Sequence, residues 1–394
     1  MYNQVHHWEP KAEILAEERT MKYTRRDVFQ RVAAAAAAAA TVRGACPATI
    51  YSMPGLYPGR VIGVKHADSS VAGVFQTQPI QSMIRRGIME LTGAPNDAAA
   101  WKQLFSPDDV VGIKVNPNGI SSLVSSKAAI DGIVQGLQMA GVGLDNIVVC
   151  DRNRVQLNGI AALIPTGVRQ AAASWDWSAD QTEIAGYNPG HEPGVGGYDP
   201  GYYVNCPAYL LPWQSPSNPS HTRSYVAKFI TQATKIISLA VLKDHQSAGV
   251  TLGLKNLCQG CMNNVNRAHP TTTTNHLQWF VPTVVSQPII RNKVVLSIID
   301  GIHGLNAGPK GLKDFVWDHH TMYFGTDVVA TDRIGWKAID AQRLLAGLAS
   351  EESTGADKYG AWTIRQPQHI TQAGLMGLGE FRDEEIGYRL ITLG

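Results

Sequence analysis

The densest run of reactive side chains lies between Lys243 and His276, KDHQSAGVTLGLKNLCQGCMNNVNRAHPTTTTNH. It opens with Lys243, Asp244 and His245, groups that together can hold an anion and move a proton near neutral pH. Lys255 and Asn256 follow a glycine-bearing apolar run and offer a cation and an amide to a cofactor or a small anionic ligand. Cys258 and Cys261 are spaced to ligate one metal. His269 and His276 lie downstream at a distance that would complete a tetrahedral set for zinc or iron. The same cysteines could equally form a disulfide in an oxidising compartment or stand as unreactive thiols.

The element ahead of this window must position it. Residues 235–242, KIISLAVL, form a short apolar run rich in β-branched residues without alternation, the pattern of a strand buried on both faces. Lys243, Asp244 and His245 then fall at its carboxyl end, where open α/β sheets bind ligands. Three further strands are expected at 60–68, 109–119 and 146–152, and a fourth at 293–304. Their ends supply Lys114 and Asn116, Asp151 and Arg152, and Asp300 with His303.

Helical spacing is expected at 79–93, 127–140, 161–175 and 224–234, and again after Asp327. A last short strand is expected at 388–392. Alternating strands and helices predict an α/β fold: a mostly parallel, Rossmann-like sheet with crossover helices. In such a sheet the strand-end groups share one edge. Lysine and arginine would hold a carboxylate or phosphate there, and His245 with Asp244 or Asp300 would serve as acid and base. His245, Asp300 and His303 form an alternative metal set, with His319 and His320 nearby in sequence. Strand-end polar residues also serve as turn-formers and caps, so each of these roles has a structural competitor.

The 394 residues suffice for one large domain or two close lobes over 48–394. A net charge of +2 and the absence of a basic block in the body argue against nucleic acid as the main partner. Five cysteines are too few for a disulfide scaffold. No P-loop, dinucleotide fingerprint, serine-hydrolase elbow or zinc-peptidase helix is present.

Residues 1–47 read as a leader. Arg25 and Arg26 precede an apolar stretch with eight consecutive alanines, which resembles a twin-arginine export signal. That implies a periplasmic or extracellular protein, exported folded and often already carrying a cofactor. No stretch is long and apolar enough for a membrane span. Residues 186–220, crowded with Gly, Pro and Tyr, read as a long irregular insertion. Its tyrosines and Trp213 would either meet a partner or pack the loop onto the body.

Four segments together resemble a bacterial and archaeal family, the domain of unknown function 362: DDVVGIKVNPNG (108–119), VLKDHQSAGVTLGLKN (241–256), VLSIIDGIHGLNAGP (295–309) and GTDVVATDRIGWKAID (325–340). The resemblance spans about residues 60–340. Members are often associated with iron–sulfur clusters through an appended cysteine-rich module, which this chain lacks. The resemblance and the residues together suggest a metal or iron–sulfur cofactor acting in or beside a redox process. The alternative is a non-catalytic binding or assembly subunit of a cell-envelope complex.

Overall fold

The computed structural model describes residues 48–394 apart from 120–122, 177–195, 206–209, 211–214, 266–267, 270–274, 308–312 and 354–364. The expected leader and twin-arginine signal lie outside these residues, as does most of the Gly/Pro/Tyr insertion.

Nine strands build the central sheet: β1 Arg60–His66, β2 Val111–Lys114, β3 Ile147–Asn153, β4 Arg169–Ser174, β5 Lys235–His245, β6 Gly249–Val250, β7 Val294–Leu305, β8 Val316–Gly325 and β9 Gly387–Leu393. The order is β9-β1-β8-β7-β5-β2-β3-β4, with β6 folded back on β5. The run β7-β5-β2-β3-β4 is parallel throughout, while β8 runs antiparallel to both its neighbours. The expected α/β architecture with a mostly parallel sheet is therefore what the chain forms. All twelve residues of β7 are buried, as befits a mostly apolar strand without polar alternation that is covered on both faces.

Helices α1 Thr77–Thr92, α2 Asp97–Leu104 and α3 Lys127–Met139 cover one face. Helices α4 Leu252–Gln259, α5 Leu277–Val285, α6 Val328–Leu345 and α7 Gln368–Leu375 cover the other. Their ends follow local chemistry. Asn96, Ser126 and Asp327 each accept a hydrogen bond from a backbone N–H of the first turn, and α1 stops at Gly93 in the left-handed conformation (φ 70°). Among the described residues no helix is long and apolar enough to cross a membrane.

Three local expectations are corrected. Residues 161–175 give one short 3-10 turn and then β4, because pairing with β3 in parallel register overrides the helix preference of its alanines. Residues 224–234 begin as a strand, Arg223–Ala227, before a short helix at Lys228–Gln232. That strand pairs antiparallel with Tyr198–Asn205, so part of the insertion is regular after all. Pro200 and Gly201 fall where the register shifts, a position that tolerates a missing donor. Tyr203 meets Tyr225 across the ribbon, ring centroids 5.6 Å apart, and so packs on the body.

Connectivity places a crevice. The chain leaves β2 through α3 on one face to reach β3, and leaves β5 through α4 and α5 on the opposite face to reach β7. β2 and β5 are adjacent, so their carboxyl ends form a topological switch point where the crossovers diverge.

Candidate functional site

β2 delivers Lys114 to this crevice. Its Nζ donates to Asp151 Oδ2 (2.6 Å), Val115 O (2.6 Å) and Asn256 Oδ1 (2.9 Å), and the residue is 1% exposed. Asn256 returns from α4 through Nδ2 to Lys114 O (3.0 Å) and Ser238 Oγ (3.2 Å), tying the helix to β2 and β5. Gly260 makes this approach feasible, since a Cβ there would sit 2.2 Å from Lys114 Cε.

β5 splits its polar terminus between two directions, because consecutive strand residues point to opposite faces. Lys243 Nζ donates to Asn116 Oδ1 (2.9 Å) and Asn118 O (2.6 Å). Asp244 Oδ2 instead accepts from Arg343 (3.1 Å) and Arg365 (2.7 Å), and Glu351 lies 3.5 and 3.2 Å from the same two guanidiniums. Burial pushes the Asp244 carboxyl up despite both arginines. It pushes Glu351 well up as well, with the charge of Asp244 adding to the effect. Asp244, expected as an acid or base, is thus held by Arg343 of α6 and by Arg365.

His245 Nδ1 accepts from the N–H of Ser247 (3.1 Å), so the neutral ring carries its proton on Nε2. His269 faces it with ring centroids 6.2 Å apart. The hairpin through Gly249 (φ 72°) leads to Thr251 and then to Leu252, a non-glycine residue in the left-handed region at φ 47°. Such strain persists only where the surroundings hold it. Asp332 of α6 does so by accepting from the N–H groups of Gly253 and Leu254, both at 2.7 Å. Burial pushes the Asp332 carboxyl up to about 8, against the pull of those two N–H groups.

These parts enclose a cleft of about 600 Å³. Lys114, Asn116, Asp151 and Arg152 form one wall, residues 243–247 the second, and Thr251, Lys255, Asn256 and Gln259 the third, with His269 alongside. Among the described lining residues four cationic side chains, Lys114, Arg152, Lys243 and Lys255, face two carboxylates. Asp151 is paired with Lys114 and Asp244 with two arginines, so the balance is positive. Two buried polar atoms on α4 and its entry, Thr251 Oγ1 and Gln259 Nε2, have no hydrogen-bond partner among the described residues. Such atoms are uncommon enough in folded proteins to demand a reason.

Lys114, Asn116, Asp151, Arg152, Lys243 and His245 thus gather at one edge as strand ends of a parallel sheet would, and Lys255 and Asn256 join them from α4. Asp300 and His303 do not join them. Asp300 lies on the α3 face of β7, between Ile298 and Ile302, and its carboxylate accepts from the N–H of Ser126 (3.1 Å) and of Ile302 (3.3 Å). His303 Nε2 meets both Ser70 Oγ (2.8 Å) and Asp318 Oδ1 (3.2 Å) while its ring packs on Phe75. A relay triad needs its hydroxyl and carboxylate on opposite ring nitrogens, so this cluster is not one. His319 binds Tyr323 Oη (2.6 Å) and burial pushes it down to about 4, while His320 meets Ser69.

The expected Cys258, Cys261, His269 and His276 set does not assemble. Both cysteines lie within the apolar core, and burial pushes the Cys261 thiol up to about 12. His276 caps α5 while His269 belongs to the cleft. Among the described residues no three of His, Cys, Asp and Glu gather to hold an ion.

Thr251, Gln259, Asp332, Arg343, Glu351 and Arg365 were not singled out from the sequence. Asp332 lies inside the quoted segment 325–340. Thr251 lies inside the quoted segment 241–256 and Gln259 inside the window 243–276, whereas Arg343, Glu351 and Arg365 have no sequence signal, because nothing local announces which distant carboxylate a side chain will meet.

Residues 203–337 match the family model described as Domain of unknown function (DUF362). No curated protein gives a significant match to the chain. The matched stretch carries β5 through β8 and the first part of α6, hence Lys243, the α4 wall and Asp332. The β2 and β3 wall, with segment 108–119, lies outside it.

Proposed function

We propose that this protein binds a small anionic ligand in the cleft at the carboxyl edge of β2, β3 and β5. The observation that carries the reading is the pair of buried, unpartnered atoms Thr251 Oγ1 and Gln259 Nε2 in a cleft whose cations outnumber its carboxylates. An anion with hydrogen-bonding oxygens would satisfy both atoms, and Lys243, Lys255 and Arg152 would supply the countercharge. Charges act more strongly in such a partly enclosed space than in bulk water. If the ligand is turned over, His245 is the group placed to move a proton, its ring oriented by the Ser247 N–H on Nδ1.

Calorimetric titration of the full chain with inorganic phosphate tests the reading. Wild type should bind with an affinity that falls as salt rises, and Lys255→Gln should weaken binding about tenfold, or about 1.4 kcal/mol. No binding by wild type at low salt would overturn it. Export through the twin-arginine route is a companion proposal, resting on Arg25, Arg26 and the alanine tract. Replacing both arginines by lysine should retain the protein in the cytoplasm on fractionation.

A further inference from the structure

Helix α4 carries the two atoms on which the binding reading rests, and it holds them far apart. Thr251 stands at its N-cap, Gln259 is its last residue, and Lys255 lies midway. Residues four apart share a helix face, and all three of these line the cleft. The rise of an α-helix puts Thr251 and Gln259 about 12 Å apart along its axis.

The helix also crosses the edge of the sheet. Its start is tied to β5, because the N–H of Thr251 donates to Lys243 O (3.0 Å). Its middle is tied to β5 and β2 together by Asn256 Nδ2, which donates to Ser238 Oγ and Lys114 O. Its end lies over Lys114, where a Cβ at Gly260 would fall 2.2 Å from Cε, and Lys114 in turn holds Asp151 of β3 (2.6 Å). Strands β5 and β3 stand two places apart in the sheet, a separation of about 10 Å. Helix rise and strand spacing thus give the run a similar length.

Each end has its own cation as well. Lys243 lies at the end of β5, and Arg152 at the end of β3, where its charge acts on Cys261 two residues beyond Gln259.

We infer that the ligand is two-headed, an elongated molecule with an oxyanion at each end, and not a single compact anion. The inference rests on the anion-binding reading above and adds the length of the ligand to it.

The physical argument is one of reach. A hydrogen bond spans about 3 Å between heavy atoms. An oxyanion bonded to Thr251 therefore falls short of Gln259 across a run several times as long. Side chains of one helix all lean toward its N-terminus, so leaning does not close the gap. Both residues are more than nine-tenths buried, and an unmet donor there is costly. Acceptors at both ends of one ligand meet both. Nor do the first N–H groups of α4 hold a head, since Asp332 takes those of Gly253 and Leu254. At about 600 Å³ the cleft falls in the range that takes a whole small molecule.

Probes that differ in length at constant charge test this by calorimetry on the full chain at one ionic strength. The α,ω-bisphosphonates of ethane, hexane and decane form one series, and succinate, suberate and dodecanedioate the other. The middle member of one series should bind at least tenfold tighter than the shortest, with no further gain in the longest. A peak among the bisphosphonates marks phosphate-like heads, and a peak among the dicarboxylates marks carboxylate heads. Thr251→Val and Gln259→Leu each remove the donor at one end, so either should cut the preference for the middle member at least threefold.

Equal binding of the short and middle members in both series would overturn the two-headed ligand. So would an unchanged preference in both variants, or affinity still climbing to the longest member, the mark of apolar contact alone. Inorganic phosphate binding by wild type would in those cases keep the anionic reading. Loss of binding to every probe, inorganic phosphate included, would remove both.

Discussion

Lys243 and Asp244 are neighbours in the chain, yet they belong to two polar clusters built on different terms. Asp244 enters a closed quartet with Arg343, Arg365 and Glu351, in which two guanidiniums meet two carboxylates and every member is buried. Lys243 enters a cleft where, among the described lining residues, four cationic side chains meet two carboxylates, each already paired with a cation. A buried charge matched within the fold does structural work, because exposing or orphaning it is costly. A surplus of one sign is what a fold retains for something it does not itself contain. The difference separates anchor from binding wall across a single peptide bond.

Each side of that contrast can be pressed. The largest effect is expected from Arg343→Met, which leaves Asp244 and Glu351 buried with half their countercharge. Urea unfolding should record a loss of about 3–5 kcal/mol. A loss under about 1 kcal/mol would dissolve the distinction. Gly260→Ala comes next, driving a methyl into Lys114 and Asn256 O. Overpacking of that kind costs about 1–3 kcal/mol. Because it displaces a cleft lysine, phosphate binding should weaken together with stability, unlike in the quartet variant, whose residues other than Asp244 lie away from the lining.

The third test is of pH. His369 on α7 is buried, and burial followed by the nearby charge of Lys255 pushes it down to about 3. The unfolded chain takes this proton near pH 6.5 and the folded chain only near 3. The stabilisation is thus complete above pH 6.5 and is lost as pH falls toward 3, at about 1.4 kcal/mol per unit. His369→Leu should flatten that part of a stability profile. Lys255→Gln should raise the lower limit of the window, and an unchanged limit would separate Lys255 from the buried histidine.

The smallest effect is expected at Thr251→Val. Removing a hydroxyl that has no protein partner should leave stability unchanged or raise it by up to about 1 kcal/mol. A loss of more than about 1 kcal/mol would show that the hydroxyl belongs to the fold and not to the cleft.

Much of the frame could be read directly. Strands β5 and β7 announce themselves as largely apolar runs without alternation, and Gly93 and Asp327 mark helix ends by a left-handed backbone and a capping carboxylate. The convergence of Lys114, Asn116 and Lys243 followed from parallel strands sharing an edge. Local reading failed where pairing decided the outcome: β4 is a strand because β3 lies beside it, and Arg223–Ala227 because Tyr198–Asn205 does. It failed again where spacing stood in for geometry. Cys258 and Cys261 have the interval of a ligand pair, but α4 turns them into the core, and β7 turns Asp300 toward α3.

The sequence by itself determined an α/β fold, its parallel strands and the edge on which their polar ends would meet, because apolar periodicity and strand direction are local properties that add up. Only the tertiary structure decided which of those polar groups face a cleft and which are consumed by the fold. Asp244 finds Arg343 and Arg365 about a hundred or more residues later, and Asp332 finds the N-terminus of α4 across 78 and 79 residues. Pairings of that range are set by packing of whole elements, and no pattern in a short window carries them.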